Sequence, residues 1–186
     1  FTISGKVTLS GGAAVSGVTV TGLPGSPMTD AGGNYSATVT YGFAGTATPS
    51  KAGHVFTPSS RSYSSVTANQ TSQNYTATVL SYAISGKVVD SAGSALANVT
   101  LSGLPGNPVS DVVGNYSAIV QYGFSGTVTP MLTGHTFSPA TRTYSNVTGH
   151  QSNQNYTGTP QALTISGRVA GSGGGAVQEP PFLENA

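Results

Sequence analysis

Histidine, aspartate, serine and tyrosine are the residues of this chain whose chemistry could do work, and their spacing limits what that work can be. His54 and His135 stand 81 residues apart in matching Gly-His-x-Phe contexts, while His150 has Asn69 at its matching position. A zinc site needs three or four ligands converging on one point. Single histidines in separate loops do not supply that, and the chain has no cysteine for a thiolate site. The sequence predicts instead that His54 and His135 stack near Phe56 and Phe137 at a loop. No cofactor or metal is expected.

Asp30 and Asp111 occupy equivalent turns, each leading into Gly-Asn-Tyr through Asn34 or Asn115. Calcium asks for several carboxylate oxygens in one loop. Each of these loops offers one Asp and one Asn, so Asp30, Asn34, Asp111 and Asn115 are read as structural turn residues whose side chains satisfy turn backbone. Nothing marks a catalytic serine, because no Gly-x-Ser-x-Gly elbow lies between a strand and a helix. Paired carboxylates for glycoside hydrolysis are missing too: residues 1–82 contain one carboxylate, Asp30, and residues 83–162 contain Asp90 and Asp111. An enzyme is not expected.

Eight of the nine tyrosines form pairs at the same 81-residue offset: Tyr35 with Tyr116, Tyr41 with Tyr122, Tyr63 with Tyr144, and Tyr75 with Tyr156. Exposed aromatics could stack on sugars. Without tryptophan, packing at the core edge with a hydroxyl bonded to a loop is the better reading. Seven Asn-x-Ser/Thr sequons (Asn34, Asn69, Asn74, Asn98, Asn115, Asn146 and Asn155) could be glycosylated in a secreted protein. With serine and threonine so abundant, chance alone predicts several.

The elements that hold these residues come from a repeat. Ile3-Ser4-Gly5-Lys6-Val7 returns as Ile84-Ser85-Gly86-Lys87-Val88 and again as Ile165-Ser166-Gly167-Arg168-Val169. Residues 3–83 and 84–164 align without a gap and are identical at roughly half of their positions. Two modules of about 80 residues follow, at the small end for independent folding. The expected organisation is a module over 1–82, a module over 83–162, and a partial third repeat with a Gly- and Pro-containing tail over 163–186. Helical periodicity is absent. Alternation predicts strands over 2–9, 17–21, 35–39, 45–48, 61–66 and 73–78, each with a counterpart in the second module. Short strands broken by Gly, Pro, Asn and Asp clusters indicate an all-β chain of two tandem Ig-like sandwiches.

Charged residues make up 6% of the chain and the net charge is +1. There is no basic cluster to neutralise phosphates, so nucleic acid is not an expected partner. No apolar stretch is long enough to span a membrane. The Ser/Thr/Gly/Asn-rich composition points outside the cell or to the cell surface. A chain starting at Phe1 without a signal peptide reads as a mature, processed or excised segment.

Several motifs carry a resemblance. Ile-Ser-Gly-Lys-Val, Val-Thr-Val, Tyr-Gly-Phe-x-Gly-Thr-x-Thr-Pro, Gly-His-x-Phe-x-Pro and Gln-Asn-Tyr-Thr resemble the carboxypeptidase-regulatory-like repeats of bacterial surface proteins. Those are prealbumin-like seven-stranded sandwiches related to Cna-type B repeats, generally non-catalytic. The resemblance covers both modules and the opening of the third. It also raises an amide cross-link between a first-strand Lys and a last-strand Asn, here Lys6 with Asn74 and Lys87 with Asn155. That reaction needs a buried acid, and neither module has a Glu. Strand alternation turns Lys6 toward water.

The partial repeat is the remaining signal. A lone strand cannot bury its own apolar face. Ile165, Gly167 and Val169, on a strand predicted over 163–170, therefore need either module 2 of the same chain or a neighbouring chain, which strand addition would join. The function expected is a non-enzymatic structural subunit of an extracellular fibre, pilus-like filament or stalk, with copies of itself as partner, assembled head to tail through strand donation. The alternative is an accessory spacer or carbohydrate-binding module pair of a larger secreted protein, with an extracellular polysaccharide as partner.

Overall fold

A computed structural model describes residues 1–168. The described residues are all-β, with two sandwiches in series. Module 1 contains β1 (Thr2–Leu9), β2 (Thr19–Thr21), β3 (Asn34–Thr38), β4 (Phe43–Ser50), β5 (His54–Thr57), β6 (Arg61–Val66) and β7 (Tyr75–Val79). Module 2 contains β8 (Ser81–Asp90), β9 (Thr100–Ser102), β10 (Asn115–Gln121), β11 (Phe124–Met131), β12 (His135–Ser138), β13 (Arg142–Val147) and β14 (Tyr156–Pro160). In each module a four-stranded sheet faces a three-stranded one. The orders are β3-β1-β7-β5 against β2-β4-β6, and β10-β8-β14-β12 against β9-β11-β13.

Alternation explains the faces. Along β1, Ile3 and Val7 point inward and are fully buried while Lys6 is exposed. They meet Val18, Val20, Ala47 and Tyr75 in one core. Module 2 repeats this with Ile84, Val88, Val99, Leu101, Val128 and Tyr156. The first strand changes partner halfway. Residues 2–6 of β1 pair antiparallel with β3, and Val7–Leu9 pair parallel with the last strand, β7. The first and last strands thus lie side by side and close each module.

Two features depart from the sequence reading. His54–Thr57 is a strand, not a loop. It pairs with β7 as the sheet edge, and His135–Ser138 does the same beside β14. Four residues between a turn and a proline are too short to show a period. The second difference lies at the module boundary. β8 begins at Ser81, because Ser81, Tyr82 and Ala83 pair with Gln121, Val120 and Ile119 of an extended β10. A single residue, Leu80, separates β7 from β8.

Candidate functional site at the module joint

The side chains with chemical potential are occupied by structure. Asp30 Oδ1 accepts the Asn34 backbone N–H at 2.8 Å, and the Asn34 amide donates to both Asp30 oxygens at 3.2 Å. That backbone N–H is the main reason the Asp30 carboxyl titrates below its ordinary value. Asp111 accepts from the Val113 and Asn115 N–H groups at 2.9 and 2.8 Å, and Asp90 from Ala92 and Ser94 at 2.9 and 2.8 Å. His54 and His135 each stack on the phenylalanine two residues on, at 6.4 and 6.5 Å. Their Nδ1 atoms lie 2.8 Å from Ala52 O and 3.2 Å from Thr133 O. Among the described residues no three or more His, Cys, Asp or Glu side chains gather where they could hold a metal ion.

Asn74 and Asn155 do not reach toward a lysine amine. The Asn74 side-chain oxygen accepts the backbone N–H of Lys6 at 2.8 Å, and Asn155 does the same for Lys87. Each carboxamide thus closes the gap where the first strand changes partner, and both lysine side chains face solvent. The intact mass is expected to equal the sequence sum. A loss of ammonia per module in high-resolution mass spectrometry would show a cross-link after all.

Six tyrosines, Tyr35, Tyr63 and Tyr75 in module 1 and Tyr116, Tyr144 and Tyr156 in module 2, build a latch instead of a binding face. Tyr35, Tyr75, Tyr116, Tyr144 and Tyr156 are buried. The Tyr35 hydroxyl donates to Gln73 O at 2.5 Å, and the Tyr116 hydroxyl donates to Gln154 O. Tyr63 and Tyr144 donate to the side chains of the same glutamines at 3.2 Å. Arg61 lies 5.4 Å over the Tyr75 ring while bonding Asn74 O at 2.7 Å, and Arg142 repeats this on Tyr156 and Asn155 O. The loop before the last strand is thereby clamped to both sheets. Loss of water contact on burial raises the phenol pKa of Tyr35, Tyr63, Tyr75, Tyr116 and Tyr144, and pushes Tyr156 up to about 12; the arginines oppose the shift.

The remaining pair behaves differently, and sequence reasoning missed it. Tyr41 is 76% exposed. Tyr122, its equivalent, packs across the module boundary onto Gly53, so that a Cβ added to Gly53 would fall 2.9 Å from Tyr122 Cε1 and closer still to the ring's inner carbons. Gly53 also has φ of +71°, which favours glycine. Leu80 is fixed from both sides. Its N–H donates to Gly53 O of module 1 at 2.8 Å, and its C=O accepts the Tyr122 N–H of module 2 at 2.8 Å. Tyr82 backs the joint, with its ring 6.5 Å from Tyr122 and 5.5 Å from His150, whose Nδ1 accepts the Ala83 N–H at 3.0 Å. The only available signal was a small one: a tyrosine pair and a glycine pair repeating in loops at opposite ends of each module.

Residues 161–168 carry no regular secondary structure, and Leu163 and Ile165 are 90% and 98% exposed. Gly167 has open space around it. These residues therefore do not form the strand expected over 163–170 within the single chain, and they do not cap module 2. Among the described residues Ile165 packs on no sheet edge. Val169 lies outside the described residues.

No family model matches the chain. Its likeness to carboxypeptidase-regulatory-like and Cna-type B repeats therefore stays one of sequence motifs. The chain is 36% identical over 128 residues to the chitinase ChiA of Flavobacterium johnsoniae; the match takes in 65% of this chain and spans 8% of that protein's length. Among solved structures, the Bacillus anthracis TIE protein aligns with a TM-score of 0.67 at 12% identity, over 86% of this chain and 34% of that one. A Streptococcal ancillary pilin (TM-score 0.39, 10% identity, 87% and 62% covered) and the minor pilin GBS52 of Streptococcus agalactiae (0.35, 8%, 76% and 71%) align too loosely to carry an argument. The likeness to the TIE protein, with the topology above, establishes the chain as a tandem pair of Ig-like β-sandwich modules.

Proposed function

We propose that the two modules are a non-catalytic, stiff structural segment of an extracellular fibre or surface stalk. The observation that carries this is the joint. A one-residue linker whose N–H and C=O are both bonded, one to each module, has no free torsional play. Flexible linkers behave otherwise: their reach grows with many unbonded residues. Tyr122 seated on Gly53 fills the angle between the modules. The activity of such a segment is to hold its ends at a fixed separation and orientation.

The likeness to a small fraction of a chitinase favours a second setting for the same property, as a spacer inside a larger secreted protein. Both settings place the chain outside the cell, and neither calls for a helix long and apolar enough to cross a membrane; the described residues contain none. End-to-end assembly with copies of itself, including strand donation from residues 163–170, belongs to the fibre setting. Ile165 and Gly167 match Ile3 and Gly5 of β1 in type, which is what a donated first strand would need.

Small-angle scattering on dilute protein tests stiffness. The wild type is expected to give one narrow distance distribution. Gly53→Ala is expected to broaden it and lengthen its tail, because the new methyl evicts the Tyr122 ring. Gly134→Ala is the control. Gly134 has φ of +74°, so it carries the same backbone strain of about 1 kcal/mol, but nothing lies within 4 Å of its added Cβ. A wild-type profile as broad as that of Gly53→Ala would remove the stalk reading.

A further inference from the structure

Of the three histidines, His150 is the one whose ring nitrogen faces an N–H. His54 and His135 turn Nδ1 to carbonyl oxygens, Ala52 O and Thr133 O, so either ring keeps that contact when it takes up a proton. His150 Nδ1 instead accepts the Ala83 N–H at 3.0 Å. Only a neutral imidazole can do this, because the protonated ring carries hydrogen on both nitrogens and has no lone pair to offer. Protonation therefore sets two N–H groups against each other, and the ring has to leave.

The same position in module 1 shows what the contact is for. There Asn69 Oδ1 accepts the Thr2 N–H at 2.9 Å, and Gln70 bonds Thr2 and Ser4 through its backbone as Gln151 bonds Ala83 and Ser85. Both loops cap the opening of a first strand along the edge that its antiparallel partner leaves free. A carboxamide does not titrate, whereas an imidazole does, around pH 6.5. His150 also holds the Tyr82 ring edge-on at 5.5 Å and 88°. Tyr82 stands 6.5 Å from Tyr122, and Tyr122 packs against Gly53. A titratable ring thus ends the row of rings that fills the joint.

We propose that His150 is a proton-operated pin of the module joint: neutral, it holds Ala83 and Tyr82 in place and the pair is stiff; protonated, it lets go and the joint loosens about Leu80. This rests on the stalk reading and adds its regulation. The sign follows from the bond. The pinned joint accepts only the unprotonated ring, so acid favours the released state, and pinning returns as pH rises through the histidine range. Among the described residues, the titratable groups facing the ring are Tyr82 on β8 and, behind it, Tyr122 at the β10–β11 turn, and phenols keep their protons until about pH 10. Across the joint, His54 is turned onto Phe56. Lys87, the first charged side chain along β8, is about 13 Å further on. Arg142 on β13 is bonded to Asn155 O, and Asp90 and Asp111 are bonded within their own turns. None of these offers a negative charge to hold a protonated His150 in place.

The test is small-angle scattering of the full chain at about pH 7.5 and about pH 5, on either side of the histidine range and above that of exposed carboxylates. The wild type is expected to give a narrow distance distribution at the higher pH and a broader one at the lower. In NMR, protection of the Ala83 amide from exchange, corrected for the intrinsic rate, is expected to fall about tenfold with the His150 ring titration, the size of one net hydrogen bond. His150→Asn copies module 1 and keeps an acceptor at every pH, so it is expected to stay narrow at both. His150→Ala has no acceptor and is expected to be broad at both. A wild type that stays narrow through the His150 titration, a His150→Asn variant that broadens in acid as the wild type does, or a His150→Ala variant that stays narrow overturns the proposal and leaves the stalk standing. A wild type already as broad at the higher pH as at the lower removes the stalk reading and this proposal together.

Discussion

Gly86→Ala is expected to destabilise module 2 strongly and spare module 1. Gly86 lies on β8 where that strand pairs with Tyr116 on one side and approaches the loop before β14 on the other. An added Cβ would sit 2.6 Å from the Gln154 carbonyl carbon and 3.0 Å from its nitrogen, and nearer still to its oxygen. Those atoms are backbone and have nowhere to go. Gln154 N–H donates to Ser85 O at 3.0 Å, and Gln154 O receives the buried Tyr116 hydroxyl. Pushing this peptide away breaks both bonds and opens the latch. The cost is at least about 3 kcal/mol, the upper end for overpacking, because backbone must move instead of a side-chain tip. For a module of this size that lowers the melting temperature by about 15 °C. Differential scanning calorimetry is expected to show two transitions in the variant, one near the wild-type temperature and one well below it. A single unshifted transition would mean the loop yields freely. Gly5→Ala, against Gln73, is expected to reverse which module melts first.

Alkaline pH is expected to unfold both modules, and tyrosine ionisation is the cause. An exposed phenol in an unfolded chain loses its proton near pH 10. In the folded chain, loss of water contact holds Tyr35, Tyr63, Tyr75, Tyr116 and Tyr144 protonated to higher pH, and Tyr156 to about 12. Above pH 10 the folded state therefore binds more protons than the unfolded state. Stability falls as pH rises through that window. Below it both states keep the proton, and the contribution is constant. With three such groups per module the losses accumulate. Phenolate absorbance near 295 nm is expected to rise in two stages: a gradual one from tyrosines outside the latch, and a steep one coinciding with loss of far-ultraviolet β signal. Tyr63→Phe and Tyr144→Phe together are expected to move the steep stage upward in pH. Smooth titration of all tyrosines with the β signal intact would show that the latch ionises without opening.

Much of this molecule is written in local pattern. The 81-residue repeat and the alternation Ile3, Val7 against Lys6 determine two β-sandwiches, because a period of two leaves a strand one buried and one solvated face. The Asp30–Asn34 and Asp111–Asn115 spacing brings a side-chain oxygen to a backbone N–H within one turn, so that geometry too is local. What escaped the sequence is non-local. β5 and β12 are too short to show a period, and only the neighbouring last strand makes them strands. Nothing within Asn74 says that its carboxamide will cap Lys6 N–H; the parallel pairing of first and last strands decides it. Tyr41 and Tyr122 are the same residue in the same motif, yet one is exposed and the other is packed on Gly53. The sequence by itself determined the modules, since strand and turn preferences act over a few residues. Only the tertiary structure decided how the modules meet, because a joint arises when two finished folds bring distant loops together.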